Sequence, residues 1–340
     1  MKGRTIVLDH LNGQEAAAYL VDGKLDDLLI DAPDEIRPGA IFRGICDRPL
    51  KGQGGMMLRL PDGETGFLRQ GKGLKPGQAL LVQVTGHAEG GKAIPVTDRV
   101  LFKSRYAIVT PGRPGINVSR QITDEEARER VLAAANEVDV GDHGLILRSS
   151  CAEAAEDDII DDIAAMRDLA DVVLADAAGS EPEALTEGDA PHALAWRDWT
   201  GAADVVTEPG GFGRLGVLDQ IDGLSDPLVA LAPGTMYVEP TRALVAIDVN
   251  TGGDTSPAAA LKVNLAACRA IPRQLRLRGL GGQIVVDFAP MSKAHRRQVE
   301  QALRAALKSD PIETAMVGWT QMGLFELQRK RERRPLSGPA

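Results

Sequence analysis

Cysteine is scarce in this chain. Cys46, Cys151 and Cys268 are the three in 340 residues, and they lie far apart. That count and spacing argue against a disulfide framework and against the paired cysteines of a zinc site, and they fit a reducing cytosol. Long apolar runs are missing as well: none approaches the ~20 residues that span a bilayer. The opening stretch, MKGRTIVLDH, has no apolar core before a small-residue cleavage site, so no secretory leader is expected. An excess of positive charge is also absent. Lys and Arg number 39 against 48 Asp and Glu, a balance of −9. Taken alone, that argues against a nucleic-acid partner. What is present is a globular composition, 44% hydrophobic and 26% charged, in a length that suits two or three domains.

The charge is unevenly distributed. Residues 261–340 carry 15 Lys and Arg against 6 Asp and Glu, whereas residues 151–192 carry 1 against 13. Phosphate binding requires a local basic face, whatever the total. The acidic segment reads as a solvated helix face.

Residues 243–288 organise the rest. ALVAIDVNTGGDT (243–255) and LGGQIVVDF (280–288) each contain a run of small and β-branched residues that stops at a carboxylate, Asp248 and Asp287. Such runs read as strands buried on both faces. Between them, Ser256 suits an N-cap and Pro257 a first helical position. Leu261, Leu265, Cys268, Ile271 and Leu275 form one stripe, with Lys262, Arg269, Arg273 and Arg276 on a basic side. Strand, helix and strand make a right-handed unit with parallel strands. Both strands then end at one sheet edge, where open α/β sheets bind ligands. Two convergent carboxylates fit a Mg2+ site, since this ion needs few protein ligands and keeps several waters. Asn250, two residues past Asp248, points to the same side and is placed to hold one carboxylate. The competing reading is that both aspartates merely cap turns.

ALVAIDVNTGG (243–253), RQLRLRGLGGQIVVDF (273–288) and GLFELQRKR (323–331) resemble the catalytic region of the ribonuclease E/G family of endoribonucleases. The resemblance implies that Asp248 and Asp287 bind Mg2+, with Mn2+ as a substitute and no zinc, and that Asn250 supports Asp287. It implies an α/β (α+β multidomain) fold. An RNase H-like scaffold is expected over 1–35 and 193–225. An OB-fold, S1-like barrel would occupy 36–102, a 5′-sensor region with an acidic linker 103–192, and a DNase I-like catalytic α/β domain 226–340. The activity it implies is cytoplasmic cleavage of single-stranded RNA to 5′-phosphate and 3′-hydroxyl products.

In chain order, residues 4–9 read as a strand, and 15–30 as a hairpin turning at Asp22-Gly23. Five short apolar runs between 37 and 101 suit an OB-type barrel. On the barrel, the resemblance assigns RNA contacts to Phe67, for base stacking, and Lys92, for phosphate. Met57 stands where the family has a second aromatic, so weaker stacking is expected. Without the family, Phe67 reads equally well as barrel core. Residues 105–120 read as a strand, a loop and Arg120. Thr123 with Glu126 forms a capping box for a helix over 124–136. GLILRSS (144–150) is a strand ending at Arg148 and Ser149, which the resemblance makes a 5′-monophosphate sensor. An arginine fork with a hydroxyl suits a terminal phosphate. An N-capped acidic helix over 152–170 is the competing reading, and Glu153 and Glu156 are expected to weaken the sensor. Residues 176–192 read as a flexible linker.

Residues 231–241 read as a hairpin arm. After Asp287, Lys293, His295, Arg296 and Arg297 are expected to hold the scissile phosphate or its neighbours. A helix over 293–308 has Val299, Leu303, Ala306 and Leu307 on its apolar side, and two strands follow over 314–328. Pro272 is expected to kink or end the crossover helix. Gln321 replaces a basic residue of the family's sensor. The paired cysteines of the family's zinc link are missing, so a monomer or dimer is expected rather than a zinc-linked tetramer. Two other readings remain: a catalytically weak RNA-binding or regulatory protein of the same family, and a nuclease directed at DNA.

Overall fold

The structure, a computed structural model, describes residues 2–336 apart from 33, 51, 53, 89 and 90. The end of the basic stretch over 261–340, residues 337–340, lies outside the described residues. The chain divides into two units, one formed by 1–31 with 203–340 and the other by 32–202.

The first unit begins with β1 (Arg4–Leu11), β2 (Gln14–Val21) and β3 (Lys24–Ile30), an antiparallel meander. Two-residue turns join them, Asn12-Gly13 and Asp22-Gly23, with φ positive at all four positions. This is the geometry Asn-Gly and Asp-Gly favour in hairpins. The second turn was expected. The first carries the same signal, and it extends β1 beyond the expected residue 9.

The second unit opens with β4 (Ile41–Leu50), β5 (Gly55–Arg59), β6 (Thr65–Leu68), β7 (Ala79–Val84) and β8 (Ile94–Thr97). Their order is β4-β5-β6-β8-β7, and pairing of β4 with β7 closes a five-strand, OB-like barrel. Alternation turns Met56, Leu58, Leu68, Val82, Val84 and Val96 inward to the barrel core.

Beyond the barrel lie β9 (Phe102–Lys103), β10 (Ala107–Thr110), β11 (Gly115–Val118), α1 (Glu125–Asn136), β12 (Gly144–Leu147) and α2 (Glu156–Ala175). The sheet order is β11-β12-β10-β9, with β11 and β12 parallel across α1. β11 falls where only a loop was expected. The N-cap of α1 is Asp124, whose carboxylate accepts from the Ala127 amide at 2.8 Å, so the expected Thr123 capping box is displaced by one residue. Asp caps as well as Thr, which is why the pattern allowed both. The acidic segment behaves as a solvated face. α2 buries Ile159, Ile163, Ala170 and Val173 and places Glu156, Asp157 and Asp158 in its first turn, where the helix dipole favours them.

The expected linker over 176–192 is instead docked. It contains β13 (Glu183–Thr186), paired with β4, and leads into α3 (Pro191–Asp198). The Arg43 guanidinium, buried on β4, donates to the carbonyls of Asp176 and Glu181 and to the Glu183 carboxylate. A polar, Gly-rich segment packs here through backbone pairing and one arginine, which composition does not register.

The first unit resumes with β14 (Asp204–Val206), parallel to β1, followed by α4 (Gly211–Arg214) and α5 (Val217–Asp222). Phe212 and Val217 pack on Val7, Leu20 and Leu28 of the meander. Asp9, buried on β1, accepts from the amides of Phe212 at 2.9 Å and His10 at 2.8 Å. A six-strand sheet completes the unit: β15 (Leu228–Ala230), β16 (Thr235–Pro240), β17 (Val245–Asn250), β18 (Gly282–Asp287), β19 (Thr314–Trp319) and β20 (Phe325–Arg329), with α6 (Pro257–Leu277) and α7 (Lys293–Ser309). The order is β15-β16-β17-β18-β20-β19, and β17 with β18 is its parallel pair. Val245, Ile247, Ile284 and Val286 form one core with Val263, Ile271, Val299 and Leu303 of the helices.

Ser256 caps α6 and Pro257 opens it, as expected. The helix runs on through Pro272 rather than ending there. Its buried stripe includes Ala260, Val263 and Ala267, whose small side chains permit close approach to the sheet, while Leu261 and Leu265 are only half-buried. The expected basic side is corrected too. Lys262 and Arg269 are exposed, but Arg273 donates to the Leu25 carbonyl, and Arg276 is 7% exposed and held by carboxylates.

Candidate active site on the mixed sheet

β17 and β18 were expected to be buried on both faces, but they alternate, because the helices cover one face of the sheet and leave the other open. Val245, Ile247 and Val249 face the core, as do Ile284 and Val286, so Asp248, Asn250 and Asp287 face away from it. Asp248 and Asp287 are direct register partners on the parallel pair, and both are exposed. Neighbouring strands lie about 4.8 Å apart. The two carboxylates therefore share one face at the carboxyl ends of adjacent strands. The Asn250 amide donates to the Asp248 Oδ2 at 2.8 Å. Its expected partner was Asp287. Asn250 and Asp248 lie two apart on one extended strand, so the local contact is the one formed.

Two further residues lie on this face, and a third, beneath the sheet, fixes the backbone beside it. Tyr237 on β16 is the register partner of Asp248 and is 37% exposed. Glu326 on β20 pairs with Val285, which puts it on the same face, diagonal to Asp287. Asn264 of α6 is fully buried, donating to the Ala289 carbonyl at 2.9 Å and accepting from the Ala289 amide at 3.0 Å. That clamp fixes the backbone two residues past Asp287. Sequence reasoning overlooked it, although an Asn inside a buried helical stripe is a signal, because a buried amide needs partners.

Among the described residues, no group of three or more His, Cys, Asp and Glu is assembled as a metal-ligand set. A closed zinc site, with its three or four nitrogen and sulfur donors, does not fit here. Two exposed carboxylates with an orienting amide do fit Mg2+, a hard ion that takes one or two protein carboxylates and retains water.

The basic residues after Asp287 lie on α7, which Ser292 caps by accepting from the His295 amide. Lys293 and Arg297 are exposed. The Arg296 guanidinium sits over the Trp319 ring at 4.6 Å, and Trp319 packs with Phe288 and Phe325. Phe288 directly follows Asp287, so Arg296 packs on an aromatic cluster that adjoins the end of β18. Cations at a helix N-terminus oppose the macrodipole and together raise the local positive potential. Gln321 lies exposed in the turn between β19 and β20.

On the barrel, Met57 and Phe67 are register partners pointing outward, both half-buried. The Phe67 ring rests on Gly55, where a Cβ would collide with it. Lys92 is exposed in the turn before β8.

Arg148 follows β12. Its guanidinium donates to the Ser104 carbonyl, to the Arg197 carbonyl at 3.1 Å and to Asp198 at 2.8 Å. Ser149 opens a short 3-10 turn over Ser149–Glu153. Arg197 also grips Asp198 and pairs with Asp189. Burial alone would raise the Asp198 carboxyl, but the hydrogen bond and charge of Arg197, with Arg148 behind it, hold it below the usual carboxylate range. The carboxylate set against Arg148 is thus Asp198, fifty residues away, rather than the expected Glu153 or Glu156. No periodic signal announces that partner.

The profile of the Ribonuclease E/G family matches residues 102–207 and 203–332, more than half of the chain. The chain is 28% identical over 375 residues to Ribonuclease E of Nostoc sp., an alignment covering 94% of this chain and 54% of that protein. It is 29% identical to Ribonuclease E of Synechocystis sp., with 94% and 56% covered. It is also 29% identical to Ribonuclease G of Escherichia coli, with 76% and 61% covered. A closed OB-like barrel in one unit and a mixed α/β sheet with paired aspartates in the other are the setting of these matches. The chain belongs to the Ribonuclease E/G family. It spans about half the length of the Ribonuclease E relatives. No helix among the described residues is long and apolar enough to cross a membrane.

Proposed function

We propose that the protein is an endoribonuclease that cleaves single-stranded RNA with the help of Mg2+, in RNA processing or decay. The observation that carries this reading is the in-register pair Asp248 and Asp287 on one exposed sheet face. Like charges placed directly across a strand pair repel. A divalent ion between them would relieve that repulsion, and a phosphodiester oxygen would complete its ligands. Asp248 and Asp287 would hold the ion, which supplies a water of lowered pKa and polarises a phosphoryl oxygen. Asn250 fixes the Asp248 carboxylate. Arg296 and Arg297, with Lys293, draw the RNA backbone toward the carboxylates. Attack of water in line with the leaving oxygen gives 5′-phosphate and 3′-hydroxyl ends.

Phe67 and Met57 offer a stacking surface on the barrel, with Lys92 for phosphate. Arg148 and Ser149 favour substrates with a 5′-monophosphate. Asp198 already occupies Arg148, so that preference is modest.

The deciding experiment is cleavage of a 5′-monophosphorylated single-stranded RNA in Mg2+. Asp287→Asn is expected to lower the rate by more than roughly 100-fold, beyond the loss typical of a residue that only supports a ligand. Cleavage at the wild-type rate would overturn the assignment. RNA binding unaffected by EDTA, without cleavage in any metal, would instead identify a binding protein.

A further inference from the structure

Six Phe, three Tyr and three Trp are the aromatic residues of this chain. Trp196 is the most exposed of those described, at 63%. It lies on α3, anchored by buried Ala195. The Arg105 guanidinium covers its ring at 4.0 Å and also donates to the Trp196 carbonyl. A cation over an indole face is attracted to the ring quadrupole, so this contact sets the ring's orientation. With one face covered, such exposure requires the other face to be open to water. A rigid, open indole face is a surface on which a flat group can stack.

Its neighbours identify what that is. Arg197, the next residue, offers its carbonyl to Arg148 at 3.1 Å, and Arg148 also donates to the carbonyl of Ser104, next to Arg105. The indole and the Arg148 guanidinium are thus held in one hydrogen-bonded frame. Three arginines, Arg105, Arg148 and Arg197, border it, against Asp198 and Asp189. Stacking surfaces flanked by arginine suit single-stranded nucleic acid, because every base has a π-face.

We propose that the open face of Trp196 stacks the 5′-terminal nucleobase of single-stranded RNA, whose terminal phosphate lies toward Arg148. The proposal rests on the reading of Arg148 as the phosphate contact. It adds a base platform that is tolerant of sequence, since no base edge is read.

Binding is measured by fluorescence anisotropy in EDTA, with a 5′-monophosphorylated RNA labelled at its 3′ end. Trp196→Ala should weaken binding by roughly tenfold, within the range for loss of one stacked base, and Trp196→Phe should retain most of the affinity. With RNA that is abasic at the 5′-terminal nucleotide, Trp196→Ala and wild type should bind alike. Wild-type affinity of Trp196→Ala for intact RNA overturns the proposal. So does an equal loss on intact and abasic RNA, which is the result expected if this surface is instead a protein contact needed for folding or assembly. Arg148→Ala tests the phosphate reading separately, through preference for a 5′-monophosphate over a 5′-hydroxyl. If that preference is unchanged, the phosphate contact falls, while the abasic comparison still judges the platform.

Discussion

Two carboxylate pairs in the same unit have opposite surroundings. Asp27 and Asp310 have side chains 5% and 1% exposed, and arginine surrounds them. Arg276 reaches both, Arg333 reaches Asp27 at 3.3 Å, and Arg329 reaches Asp310 at 3.0 Å. Asp248 and Asp287 are exposed, adjacent, and among the described residues in no ion pair. Burying a carboxylate requires a counter-charge or hydrogen-bond donors within the fold. Leaving two beside each other in water requires no partner but carries repulsion, and leaves oxygen lone pairs free for an external cation. The buried pair is therefore structural and the exposed pair is the candidate site.

The largest expected effect would break the first half of this contrast. Arg276→Met strands Asp27 and Asp310 with fewer cations, and should cost about 3–5 kcal/mol in denaturant unfolding, as for other broken buried pairs. A cost under about 1 kcal/mol would show that the buried carboxylates do not depend on Arg276.

Asp9 offers an intermediate case, a buried carboxylate held by amides. Burial pushes its pKa up, but the Phe212, His10 and Gly210 amides outweigh this and hold it below the usual value. A folded-state pKa below the unfolded one stabilises the fold above the unfolded pKa, and the gain is lost as pH falls through the folded value. Asp9→Asn should therefore cost about 2 kcal/mol near pH 7, on the scale of hydrogen bonds to a charged group, and progressively less below about pH 4. A cost independent of pH between 7 and 3 would assign the effect to packing instead.

Asp198 lies between the extremes, half-exposed and paired. Asp198→Asn should free Arg148 and raise the preference for 5′-monophosphorylated over 5′-hydroxyl RNA by about two- to fivefold, the scale of a partly exposed ion pair. A decrease would mean that Asp198 positions Arg148 for the phosphate. The smallest effect sharpens the other half of the contrast. Asp287→Asn removes like-charge repulsion and should leave thermal stability unchanged or raised by up to about 0.5 kcal/mol, while cleavage is lost. Clear destabilisation would give Asp287 a structural role.

Local chemistry made much of this fold legible. Asp22-Gly23 specified its hairpin, Ser256-Pro257 opened α6, and short apolar runs bounded by turn residues marked the five barrel strands and the β17 and β18 strands that carry Asp248 and Asp287. Each of these depends on residues within a few positions of one another, which is the range over which a sequence pattern acts. The basic side of α6 misled because charge on a helix says nothing of what packs against it. Arg276 finds Asp26 across 250 positions, Arg148 finds Asp198 across 50, and the Arg43 side chain on β4 finds the Glu181 carbonyl, just before β13, across 138. Sequence alone placed two aspartates at or near the carboxyl ends of two adjacent parallel strands. The tertiary structure decided which other charges are neutralised, because a counter-ion is chosen by proximity in space, and proximity between distant segments exists only once the sheets have formed.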